Sequence, residues 1–244
     1  LNLPKPDRAL DDARLKPKSE RLRTVVGVKF LRRGVIMEFK DRRHAGRLLA
    51  DALSAYRSEN PLVLAIPRGG VEVGIEVANS LNCDFDLIVV RKLPFPDNPE
   101  SGYGAIAEDG STFVFDRFAR TVPEKTRKRI EEEQQAEIKH RVQLLRKGRD
   151  LPEIKDRTVI LIDDGIAMGS TMRVSVAMCR NKGAGRVIVA APVSSKQTRE
   201  EFASIADDVV ILTTPAFFQA VAQVYETWYD VSDQEVLTRL AASK

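Results

Sequence analysis

Apolar residues along this chain fall into two alternating rhythms. Short, wholly apolar runs, LVLAI (62 to 66), LIVV (87 to 90), VILI (159 to 162), VIVAA (187 to 191) and VVIL (209 to 212), have the length and β-branched content of strands buried on both faces. Helical spacing separates several of them. VEVGIEVANSL sets Val71, Ile75 and Ala78 on one face, a second helix is expected from Ser170 to Lys182 with Gly183 closing it, and a third from Gln197 to Ala206. Strands alternating with helices of this length need right-handed parallel crossovers. The pattern therefore predicts an α/β fold, a doubly wound and mainly parallel sheet covered on both faces.

The flanking segments read differently. Residues 1 to 23 carry Pro4, Pro6 and Pro17 with little periodicity and read as an arm with one short helix. TVVGVKF and GVIMEF, separated by a turn with Gly34, read as a hairpin. Asp41 is placed to cap a helix running to about Ser58, with Leu48, Leu49, Ala52, Leu53 and Tyr56 on one face. The stretch after residue 90, with Pro94, Pro96 and Pro99, reads as a long loop. Residues 122 to 148 read as a charged surface helix with a narrow stripe of Ile130, Ile138, Val142 and Leu145. The expected organisation is a basic arm and first hairpin strand over residues 1 to 34, then one α/β domain over 35 to 244 with a small hood at 213 to 244. That C-terminal stretch concentrates Phe217, Phe218, Tyr225, Trp228 and Tyr229, a cluster that closes either a core or a pocket.

Composition narrows the class without naming a function. The 244 residues are 43% hydrophobic and 30% charged, which argues against wholesale disorder. No stretch approaches the ~18 uninterrupted apolar residues of a membrane span, and the first twenty residues hold Lys5, Arg8, Asp11, Asp12, Arg14, Lys16 and Lys18. Two cysteines, Cys83 and Cys179, build neither a disulfide framework nor a zinc site. The expectation is a cytoplasmic protein. Charge is uneven: residues 1 to 47 hold 14 Lys/Arg against 6 Asp/Glu, and the remainder 25 against 29. A basic leader of this kind is either a solvated arm packing on the body or a second subunit, or a contact for nucleic acid. His44 and His140 have no partner at metal or triad spacing and read as surface residues.

The most informative segment is VILIDDGIAMGSTM, residues 159 to 172. An apolar strand delivers Asp163 and Asp164 at its carboxyl end, a loop with Gly165, Ile166, Ala167, Met168 and Gly169 follows, and Ser170 and Thr171 open a helix. Glycines permit close backbone approach, successive N–H groups at a helix start point at an anion, and hydroxyls add donors. Two acids beside a bare phosphate would repel it, whereas sugar hydroxyls or a cation would satisfy them, so a ribose phosphate fits better. GxxxxGK[ST] and GxGxxG are both absent, which removes the main support for P-loop hydrolysis and for Rossmann dinucleotide binding.

IDDGIAMGST resembles the fingerprint of the type I phosphoribosyltransferases. The resemblance implies that Asp163 and Asp164 take the ribose 2- and 3-hydroxyls of phosphoribosyl pyrophosphate and that Ala167 to Thr171 take its 5-phosphate. Met168 departs from the pattern, standing where the family has Thr or another small residue. Pro67, Arg68, Gly69 and Gly70, on their own a tight turn, are similar to the family's pyrophosphate loop. Arg91 and Lys92 resemble the Arg-Lys pair with which orotate and adenine phosphoribosyltransferases touch pyrophosphate, and Leu93 to Gly110 then corresponds to their flexible loop. FKDRRHAGRLLADAL, AIPRGGVEVG, VVRKLPFPDNPESGYGAIAEDG and IDDGIAMGST together look like a group of microbial members without an assigned acceptor.

What the resemblance implies is displacement of pyrophosphate from C1 of the ribose by a nitrogen nucleophile, with Arg68, Arg91, Lys92 and Mg2+ on the diphosphate stabilising the leaving group. Asp163 and Asp164 would neighbour that metal only indirectly. Ala167 stands where 6-oxopurine enzymes have an Asp facing the base, which counts against hypoxanthine or guanine as acceptor. Trp228 and Phe217 are the candidate stacking residues for a planar acceptor, against the alternative that both seal a core. A homodimer is expected. The competing reading is a non-catalytic regulator that binds phosphoribosyl pyrophosphate or a nucleotide.

Overall fold

The computed structural model describes residues 38–242, all within the unit Leu31–Lys244. The N-terminal arm, the first strand of the expected hairpin, its second strand through residue 37 and the 34/35 boundary lie outside the described residues.

Five parallel strands form the main sheet: β1 (Leu62–Ala65), β2 (Asp84–Leu87), β6 (Thr158–Ile162), β7 (Arg186–Val193) and β8 (Asp208–Thr213), in the order β2-β1-β6-β7-β8. Its two faces follow the pleat. Leu62, Leu64, Val159, Leu161, Val187 and Val189 face the layer of α5 (Ser170–Asn181), while Val63, Ile160, Ile162, Ile188 and Ala190 face α1 (Arg42–Ala52) and α2 (Gly70–Leu81). Each fully buried aliphatic side chain contributes about 1.5–3 kcal/mol, so burial on both faces accounts for the unbroken apolar runs. The doubly wound sheet of the sequence reading is the observed one. Strand order reverses between β1 and β6, one arm of the sheet growing to β2 and the other to β7 and β8. Ligands of open α/β sheets sit at the carboxyl ends beside such a switch point.

Helix boundaries agree in outline. The Asp41 carboxylate accepts from the His44 N–H at 2.7 Å and caps α1, which ends at Ala52; a 3-10 turn (Ser54–Glu59) replaces the expected continuation to Ser58. α6 (Lys196–Phe202) is shorter than expected. Gly183, at φ +77, closes α5. Among the described residues no helix is long and apolar enough to cross a membrane.

The region after β2 departs from the sequence reading. LIVV is not one strand: the parallel strand stops at Leu87, and Val90 opens β3 (Val90–Phe95) of a separate antiparallel sheet with β4 (Asn98–Ala107) and β5 (Thr112–Val114). Ile88 and Val90 enter the core under α5, whereas Val89 points into another with Leu93, Tyr103 and Ile130. An apolar tetrapeptide spanning two cores has the composition of a single buried strand, which is why the two were conflated. The expected loop from Leu93 to Gly110 is a hairpin whose turn is Pro96 and Asp97, with register shifts around Pro94. Prolines that signalled a loop occupy a bulge and a turn, where a missing N–H costs no ladder bond. This antiparallel sheet forms the hood. Against it pack the short α3 (Asp116–Ala119) and the long α4 (Glu124–Arg146), whose Ile130 and Ile138 are buried in that second core. The chain closes with α7 (Asp233–Ala242).

Candidate active site

Two loops meet at the switch point. Pro67 to Gly70 follows β1, and Asp163 to Gly169 follows β6, the neighbouring strand. A Cβ on Gly69 would stand 1.8 Å from Asp164 Oδ2, and one on Gly70 would stand 2.9 Å from the Ile162 carbonyl oxygen and 3.3 Å from Asp163 Oδ1. Glycine suits both positions: at Gly69 the Asp164 carboxylate occupies the space of a side chain, and at Gly70 the Ile162–Asp163 backbone does. The Pro67–Arg68 peptide bond is cis.

The acids are partly buried. Asp163 Oδ1 accepts the Asp164 N–H at 2.9 Å. Burial, and then the Asp164 charge, push the Asp163 carboxyl well above the usual aspartate range, with the Lys92 ammonium opposing them. Burial also raises Asp164, and the guanidinium of Arg42 opposes it. Arg42, almost wholly buried, donates from Nε to Asp164 Oδ2 at 2.7 Å and from a terminal nitrogen to the Tyr229 carbonyl at 3.0 Å. The Tyr225 hydroxyl donates to the Asp164 carbonyl at 2.6 Å.

Beyond the acids the backbone runs into α5. Ile166 is pinned by its N–H to the Val193 carbonyl at 2.8 Å, and the Ala167 carbonyl accepts from Thr198 Oγ1 at 3.2 Å. The N–H groups of Ala167, Met168, Gly169, Ser170 and Thr171 have no acceptor among the described residues. Such a row at the start of a helix leaves backbone donors available to an anion. The glycines on either side act differently from the sequence argument: Gly165 makes room for Val221 and Gly169, at φ +77, for Phe202. They let the loop pack on the body, and the free N–H groups lie between and just beyond them. Met168 is 50% exposed.

The remaining sequence candidates divide. Lys92, exposed on β3, acts on Asp163 through its charge, and Arg68 is exposed on its loop. Arg91 donates to Gln134 Oε1 at 3.2 Å; burial, then the charge of Arg141 and, more weakly, that of Arg68, lower its proton affinity. Arg91 and Lys92 are not at the end of a parallel strand as expected, because the chain has already left the main sheet at Leu87. Trp228 lies with its ring 4.0 Å from the Arg42 guanidinium carbon and is 36% exposed, so it is no core residue. Phe217 is 88% exposed, and no hydrogen bond or ring contact ties its side chain to the acid loop among the described residues. His140 is exposed, and His44 accepts the Lys40 N–H on Nδ1.

Arg42 was missed, and Tyr225 was read only as one of the aromatic cluster that closes a core or a pocket. Arg42 left a signal: it falls in line with Ala45, Gly46 and Leu49 on the buried face of α1, where an unpaired cation would be costly and needs an acid. Nothing in the sequence paired the Tyr225 hydroxyl with the acid loop, 61 positions away.

Fold and loop together define an α/β protein with an acid pair and, among the described residues, unpaired loop and helix-start N–H groups at the carboxyl edge of its sheet. Residues 38–226 match the family model for the phosphoribosyl transferase domain, and the chain belongs to that family. Over 204 residues, 83% of the chain, it is 40% identical to two proteins of Mycobacterium tuberculosis, strains CDC 1551 and H37Rv, each named "Putative phosphoribosyl transferase". The chain spans about half the length of these curated relatives, 46% of each. The crystal structure of TT1426 from Thermus thermophilus superposes with a TM-score of 0.71 at 37% identity, over 84% of this chain and 99% of that one.

Proposed function

We propose that the chain transfers the 5-phosphoribosyl group from phosphoribosyl pyrophosphate to a nitrogenous acceptor and releases pyrophosphate. The observation that carries this reading is the contact of the two loops: an acid pair fitted against a glycine turn, beside five consecutive N–H groups without acceptors among the described residues. Asp163 and Asp164 accept the ribose hydroxyls, and Ala167 to Thr171 hold the 5-phosphate. The Pro67–Gly70 turn follows the diphosphate with Arg68 beside it. As the C1–O bond breaks, its electron pair leaves on pyrophosphate, where Arg68, Arg91 and Lys92 offset the growing charge. The acceptor nitrogen forms the new bond to C1 and gives up its proton to water or to the departing pyrophosphate, and Trp228 and Phe217 are the rings offered for stacking.

Among the described residues no three His, Cys, Asp or Glu side chains gather as a metal cage. Magnesium keeps several waters and binds through one or two carboxylates with substrate phosphates, so the acid pair fits an ion carried mainly by the diphosphate. Bound there, the ion supplies charge neutralisation to the leaving group.

Incubating the protein with phosphoribosyl pyrophosphate, Mg2+ and a panel of nucleobases and related nitrogen acceptors, and following pyrophosphate release, tests the proposal. Acceptor-dependent release is the expected result. Tight binding without turnover across the panel would instead support the regulator, the reading that Met168 favours by removing a hydroxyl donor from the cradle.

A further inference from the structure

The Arg42 side chain touches both the acid loop and the aromatic segment, in three distinct ways. Its Nε bonds Asp164 Oδ2, a terminal nitrogen bonds the Tyr229 carbonyl, and its guanidinium carbon lies 4.0 Å from the centre of the Trp228 ring. We propose that Arg42 is a positioning residue that couples the two sides of the site, presenting Asp164 to the sugar and holding Trp228 and Tyr229 against the acid loop. The inference rests on the reading of Asp163 and Asp164 as ribose acceptors.

Three features support it. A carboxylate has about four lone-pair sites, and the Arg42 bond engages one of them on Oδ2, so the cation orients Asp164 without filling it. A guanidinium is planar, donates along its edge and stacks on its face, and all of these are in use here; an ammonium cannot reproduce the set. Trp228 and Tyr229 are 36% and 40% exposed, so the rings that Arg42 steadies keep an open face. The aromatic segment also has anchors of its own. Glu226 and Thr227 donate from their N–H groups to the carbonyls of Phe39 and Lys40 at 2.8 and 3.0 Å. Trp228 also packs on Tyr225, with ring centres 5.2 Å apart, so loss of Arg42 uncovers one contact of the ring and releases the carboxylate without detaching the segment.

Trp228 is the only tryptophan of the chain, so tryptophan emission comes from this ring alone, which packs on both Arg42 and Tyr225. The test compares the full-length native protein with Arg42→Gln and Arg42→Lys, each checked for folding by circular dichroism. Acrylamide quenching of Trp228 is measured without ligand, and ribose 5-phosphate and phosphoribosyl pyrophosphate are then titrated by calorimetry and by Trp228 emission. In both variants quenching should rise. Arg42→Gln should bind phosphoribosyl pyrophosphate at least about tenfold more weakly, and Arg42→Lys, which keeps the charge, should recover most of that loss. In the native protein either ligand should change Trp228 emission, and in Arg42→Lys binding should persist while that response disappears. A folded Arg42→Gln protein with native quenching and native affinity would overturn the Arg42 proposal alone. A native protein that binds neither ligand would overturn the ribose reading beneath it.

Discussion

The glycine turn and the acid loop touch so closely that no side chain fits between them, whereas the aromatic segment meets the same acids through one hydroxyl, one guanidinium and a stacked ring. The first contact is built from backbone and short side chains at the ends of adjacent strands. The second ends in rings that are more than a third exposed, with Phe217 almost wholly so. On the proposed reading the sugar side is preformed and the acceptor side adaptable. Rigid support is most useful where bonds must be aimed, and an open aromatic face accepts planar partners of several shapes.

The largest effect should come from closing the gap on the tight side. Gly69→Ala puts a Cβ 1.8 Å from the present position of Asp164 Oδ2. Asp164 must move and Arg42 loses its partner, so the fold should weaken by about 1–3 kcal/mol, and the affinity for phosphoribosyl pyrophosphate should fall at least about a hundredfold. Denaturant melts and calorimetry read the two losses separately; native affinity would show that the loops need not meet.

Next comes a change that separates stability from binding. Asp163 is held above the ordinary carboxylate range by burial and by the Asp164 charge. The folded state thus holds that proton more tightly than the unfolded one, and the stability it supplies is complete below the unfolded value and is lost as pH rises through the raised folded value. Asp163→Asn should therefore melt higher than the native protein at neutral pH, with the gap closing as pH falls to the ordinary aspartate range, while sugar affinity drops. A pH series of melting temperatures checks the sign.

Smaller effects are expected at the rim. Lys92 is exposed, so Lys92→Ala should weaken phosphoribosyl pyrophosphate binding by about 1 kcal/mol, roughly fivefold, and leave ribose 5-phosphate untouched. Equal losses in calorimetry would separate Lys92 from the diphosphate. Phe217→Ala should change stability by no more than ~0.5 kcal/mol, and its effect should be confined to the KM of the acceptor.

The same contrast explains how much of the molecule was legible in the sequence. Parallel strands buried on both faces announce themselves as apolar runs, and the acids and glycines beside them are adjacent in sequence, so the sheet and the acid loop were readable. β3 to β5 were not, because Pro94, Pro96 and Pro99 suppress the strand signal and LIVV hides the passage between sheets. Glycine spacing suggested room for a ligand, yet Gly165 and Gly169 receive Val221 and Phe202, neighbours that only the tertiary fold supplies. The Arg42–Asp164 bond joins residues 122 positions apart. Its acid was visible as half of a motif, and its cation only as a charge on an apolar helix face.

The proposed function stands on two carboxylates accepting a sugar. Calorimetric titration of phosphoribosyl pyrophosphate into the native protein and into the Asp163→Asn/Asp164→Asn variant tests that most directly. Each charge-assisted bond is worth about 1.5–3 kcal/mol, so the native protein should bind and the folded double variant should bind at least about a hundredfold more weakly. Equal affinity in the two proteins, or no binding by the native one, would contradict it.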